Sequence, residues 1–157
     1  MRAISNSWTL SSILLAAAGA TLVITGLYFI VVRPPLLPED VRFMALPAAQ
    51  FDLLKPRLEP WLVHVFQVLG GYVLATGALT ITLAATSFRA HHWGAALGAL
   101  IGGAASIGLM SVVNFVISSD FKWVLFGMAM LWAGSLVLFC IERVGLISQR
   151  VARTRDR

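Results

Sequence analysis

The side chains with most chemistry to offer lie inside stretches that are otherwise apolar. His64, Gln67 and Gly71 fall at i, i+3 and i+7, so on a helix they share one face. Ala75 and Ala78 continue that face roughly, which reads as a small-residue face directed into a helix bundle. Asn114 sits eleven residues after Gly103, within about 20° of it at 100° per residue. Tyr28 closes the set. An imidazole, two amides and a phenol at similar depth in an apolar medium have two uses. They can hydrogen-bond one another and fix helix register, or they can line a pocket for a polar ligand or headgroup. His64, Gln67, Asn114 and Tyr28 are therefore the candidate ligand-binding residues.

The remaining reactive groups offer less. His91 and His92 are adjacent, stand beside Arg89 and have no carboxylate near them in sequence, so no metal site is expected. Cys140 is the single cysteine, which excludes an internal disulfide and a paired-cysteine oxidoreductase. A proton-coupled exporter of the small multidrug kind needs a carboxylate within a span, and none is present. A b-type cytochrome needs two histidines within the bundle, and one chain supplies only His64. Ser106 and Ser111 lie too deep to meet His64 as a protease pair. No Walker, dinucleotide or zinc-hydrolase motif occurs. Nothing positive supports an enzyme, and no cofactor is expected.

These residues must be positioned by membrane-spanning helices. Of 157 residues, 59% are hydrophobic and 12% charged, and the mean hydropathy is +0.85. Soluble domains are about 45–50% apolar and about 25% charged. About 20 apolar residues cross a bilayer as a helix. Four uncharged runs meet that length: 8–32, 61–88, 94–118 and 123–141. Pro34-Pro35 stop the first run, and Glu142-Arg143 close the last. The runs are continuously apolar rather than alternating, which excludes a membrane barrel. The first run continues to Val32, beyond the length of a signal-peptide core, and is read as a retained span. The expected fold is all-α: one membrane domain over 1–157, an integral membrane four-helix bundle with an extracytoplasmic loop between helices 1 and 2.

The net charge of +5 becomes an orientation signal once it is mapped. The N-terminus, the second loop and the tail carry seven Lys or Arg, against five on the first and third loops. Acids sharpen the contrast to +5 against 0. Both termini are therefore expected in the cytoplasm of a multi-pass protein of a bacterial inner membrane. The tail 142–157 extends the last helix, with Val144, Ile147 and Val151 on one face and Arg143, Arg150 and Arg157 on another. It reads as a basic segment along the membrane surface rather than a nucleic-acid site. In the outer loop, 33–60, Pro38 with Glu39 and Asp40 suits a short helix start. A second short helix is expected over 47–54, stopped by Pro56. Phe43, Met44, Phe51, Leu53 and Leu54 are expected on the bundle mouth or in the outer headgroup zone, as a plug or a lid.

Gly94, Gly98 and Gly102 recur every four residues, and Ser106 continues the series. Small residues at this spacing let helices approach closely in lipid. Their expected partner is the Ser12, Ala16, Ala20 face of the first span, with a homo-oligomer seam as the alternative. Gly71 joins them as a packing glycine. The expected partners are membrane lipids, with a homo-oligomer or larger membrane complex left open, and no nucleic acid.

The stretch Leu37-Pro38-Glu39-Asp40-x-x-Phe43, then Pro56-x-Leu58, His64, Gly70-Gly71 and Gly77 resembles a group of small bacterial four-span membrane proteins, and more broadly the DoxX-like four-helix proteins. It covers about a quarter of the chain. That group carries no assigned activity, so the resemblance implies fold and setting. Its histidine is followed by an acidic–basic pair, where this chain has Val65-Phe66. The function read from the sequence is a non-enzymatic accessory subunit or a module that binds a lipid or other apolar ligand. The alternative is a membrane enzyme or transporter with a polar site around His64.

Overall fold

The computed structural model describes residues 8–155, and side chains within 8–148. The side chains of Arg2, Arg150, Val151, Arg153, Arg155, Asp156 and Arg157 lie outside the described residues. The described chain is helical, with no strands. Helix α1 spans Leu10–Val31, α2 Pro38–Met44 and α3 Ala48–Leu83, which runs on through a π turn at Ala84–Phe88. Helix α4 spans Trp93–Gly103 and passes through a second π turn, Ala104–Gly108, into α5, Leu109–Val116. Helix α6 spans Lys122–Arg155. Four of these units are long and apolar enough to cross a membrane: Leu10–Val31, Ala48–Phe88, Trp93–Val116 and Lys122–Ser148.

The helix limits follow local chemistry. Thr9 caps α1, its hydroxyl accepting from the Ser12 N–H while the Ser12 hydroxyl accepts from the Thr9 N–H. Asp40 accepts the Leu37 N–H at 2.9 Å and so closes the start of α2. Ala45, His91 and Ser118 adopt positive φ at the turns that follow α2, α3 and α5. One expectation fails here. No separate helix ends at Pro56, because α3 is continuous from Ala48 through Pro56 and Pro60. Each proline removes one helical donor, from the carbonyls of Asp52 and Pro56. Both residues are exposed, so those carbonyls stay open to solvent. The apolar residues expected on the bundle mouth divide. Met44 and Phe51 are half-buried, but Phe43, Leu53 and Leu54 are exposed.

Helix α1 lies at the centre, packed along α3 on one side and α6 on the other. Glycine makes the first seam possible. A β-carbon on Gly26 would stand 2.5 Å from the Leu74 nitrogen and 2.7 Å from the Gly70 oxygen. One on Gly77 would stand 2.7 Å from the Gly19 oxygen. The antiparallel pairs Gly19–Gly77 and Gly26–Gly70 thus bring two backbones into direct contact.

The glycines singled out in the sequence do not form this seam. Gly71, Gly94 and Gly102 have no neighbour within 4 Å of a built β-carbon, and Gly98 meets only a Leu83 methyl at 3.9 Å. Ala20 is exposed. The Ser12 face and the Gly94 stripe are therefore not partners within the chain. Two apolar clusters fill the bundle. Leu15, Phe88, Ala95 and Phe139 pack near the α1 N-terminus, and Leu22, Ile107 and Met128 pack further along. Large apolar side chains elsewhere, such as Ile24, Val68, Ile101, Trp123 and Val137, are exposed on the outside of the bundle.

Candidate functional site

The four polar residues expected to converge do not. His64 and Gln67 are exposed, and the His64 Nδ1–H donates to Gln67 Oε1 at 3.2 Å. Asn114 turns back on its own helix and donates to the Met110 carbonyl at 2.8 Å. Tyr28 is half-buried and meets Phe29 edge-on, with ring centroids 5.9 Å apart. Only His64 and Gln67 hydrogen-bond each other. The physical reason is the glycine seam. It turns the Gly70–Gly77 face of α3 onto α1, which leaves the His64–Gln67–Gly71 face outside.

What the helices do build is a side groove of about 430 Å³ between α3 and α4, floored by Ala18 and Leu22 of α1 and by Trp132 of α6. Binding sites for small molecules span about 300–1,000 Å³. Four threonines of the α3 segment line it, and each has already spent its hydroxyl. Thr76 donates to the Tyr72 carbonyl, Thr80 to Thr76, Thr82 to Ala78 and Thr86 to Thr82, at 2.7–3.0 Å. The groove therefore presents methyl groups and offers no free hydroxyl hydrogen. Across from them stand Gly98 and Gly102, whose missing side chains are the space itself.

Both π turns border this space, through Thr86 and Ile107. Trp132 fixes its back wall: the indole N–H donates to the Ala99 carbonyl at 2.8 Å. The ring lies so close to Gly103 that a β-carbon there would stand 1.9 Å from Nε1.

A polar clamp closes the end of the bundle beside the groove. Glu142 on α6 accepts the Ser11 N–H at 3.0 Å, the Ser11 hydroxyl at 2.5 Å and the His91 Nε2–H at 3.1 Å. A carboxylate thus sits on the positive N-terminal turn of α1. The Arg143 guanidinium donates to the His91 carbonyl and lies 4.7 Å from the centre of the Trp93 ring. Helices α1 and α6 and the α3–α4 turn are tied together by this one carboxylate. It is not a hydrolase triad. Ser11 and His91 both donate to Glu142, whereas a triad needs the serine on the histidine, and Ser11 is fully buried. Among the described residues no group of three His, Cys, Asp or Glu could hold a metal.

The opposite end is fastened by α2. Arg33 pairs with Asp40 at 3.1 Å and lies 3.5 Å over the Phe66 ring, while buried Glu39 accepts from the Ser119 hydroxyl at 3.2 Å.

Some of this had a sequence signal. Gly19 and Gly26, like Gly70 and Gly77, are seven residues apart. The threonines come in two pairs at four-residue spacing. The Ser11–His91–Glu142 clamp had none, because its members lie as many as 131 positions apart. Fold and site together define a small all-helical protein with four membrane-length apolar helices around a lateral apolar groove. No family model, curated protein or solved structure matches the chain.

Proposed function

We propose that this chain is a non-enzymatic module of a bacterial inner membrane that holds an acyl chain or similar apolar ligand in the groove between α3 and α4. The observation that carries the reading is the groove's lining: methyl groups, glycine backbone and an indole face, with the threonine hydroxyls turned onto their own helix. A ligand receives no hydrogen from those hydroxyls, whereas an apolar one buries surface against fixed walls. The Lys and Arg distribution supports a cytoplasmic side for both termini within this proposal. The same reading groups the chain with the DoxX-like four-span proteins that its Leu37–Gly77 stretch resembles.

The test fills the groove without touching the fold. A leucine at Gly102 enters open space, since nothing stands within 4 Å of a β-carbon there. Native mass spectrometry of the parent in mild detergent should show a retained lipid or apolar molecule. Gly102→Leu should lose it at unchanged thermal stability, and His64→Ala should keep it. An empty parent, or a Gly102→Leu variant that retains the molecule, removes the proposal.

A further inference from the structure

Gln67 and His64 are left without a role by the groove. The residues of the α3 segment that line the groove run from Thr76 to Thr86, so His64, Gln67 and Gly71 lie beyond its end on the same helix. The apolar run of α3 lies between Glu59 and Arg89. At 1.5 Å per residue Gln67 lies about 10 Å from its midpoint, inside a hydrocarbon layer about 30 Å thick. Gln67 Oε1 is used by His64. Its amide N–H groups have no acceptor among the described residues, and the side chain is exposed. Unpaired N–H groups facing acyl chains are costly, and polar side chains within spans almost always face protein or water.

From Gln67 onward this line of α3 carries only small residues, Gly71, Ala75 and Ala78, all exposed. Val68, Tyr72 and Leu79 rise as an exposed wall along one side of it.

We infer that this face of α3 is the seam of a parallel homodimer, with Gln67 of one copy hydrogen-bonded to Gln67 of the other. Three features select a second copy of this chain. All copies insert in one sense, so a twofold axis along the membrane normal brings Gln67 opposite Gln67 at one depth. An amide is donor and acceptor at once, so it satisfies its own copy. The small residues below it let two identical backbones approach. An acyl chain offers the amide no acceptor.

Cross-linking in native membranes tests the seam. Cys140→Ser removes the single cysteine, and Ala75→Cys places one on the seam. Mild oxidation should give a disulfide-linked dimer at twice the 17.0 kDa chain mass. Val137→Cys, exposed on α6, should not cross-link. Adding Gln67→Leu should weaken association about 3- to 20-fold, the range measured for interhelical hydrogen bonds in membranes. An Ala75→Cys variant that stays monomeric, links to a protein of another mass, or links no better than the Val137→Cys control overturns the inference. So does a Gln67→Leu variant that dimerises as the parent does.

Discussion

Adding one methyl group at Gly26 tests whether the α1–α3 seam is the spine of the fold. The β-carbon of Gly26→Ala would meet the Leu74 nitrogen at 2.5 Å, the Gly70 oxygen at 2.7 Å and the Leu74 β-carbon at 2.7 Å. Real β-carbons essentially never approach other atoms within 3.0 Å. Two of the three obstacles are backbone, so no rotamer change relieves them, and the helices must separate. Overpacking a well-packed site costs about 1–3 kcal/mol, and a clash with rigid backbone belongs at the upper end. Alanine returns about 1 kcal/mol through its helix preference over glycine. The net loss is about 2 kcal/mol, or about 4–8 °C in Tm for a chain of this length.

Gly127→Ala is the matched control, since nothing stands within 4 Å of its β-carbon, and it should match or slightly exceed the parent. Thermal unfolding of both variants in one detergent, followed by circular dichroism, gives the comparison. If Gly26→Ala melts with the parent, or if Gly127→Ala falls equally, direct backbone contact is not what holds α1 to α3.

Two further outcomes follow from the contacts around the groove. Trp132→Phe keeps a ring against Gly103 but loses the bond to the Ala99 carbonyl, and should cost about 0.5–1.5 kcal/mol in thermal unfolding; no change would mean the bond does not tie α6 to α4. Glu142→Gln and Ser11→Ala each break the same clamp, so each should destabilise by about 1–3 kcal/mol and the double variant by less than the sum. Strict additivity would show that the two residues do not act together.

The chain's helical, membrane-length elements were legible because they rest on a signal summed over some twenty residues at a time. Which face of each helix turns inward rests on single residues, and there polarity misled. On α3, His64 and Gln67 argued for an inward face, but the Gly70 and Gly77 face permits closer approach to α1 and takes the inside. In lipid this order of priority has a physical cause. Apolar surface gains nothing from leaving an apolar solvent, so backbone proximity decides which faces meet. Polar residues are then satisfied wherever that choice leaves them. Asn114 turns to its own backbone, and His64 and Gln67 pair on the outside. The same reasoning accounts for the unrecognised groove. Gly98 and Gly102 have the spacing of a packing motif, yet no helix fills the space before them. A small residue in a membrane helix marks either a contact or a vacancy. Only the partner helix, which no local pattern names, distinguishes Gly26 from Gly102.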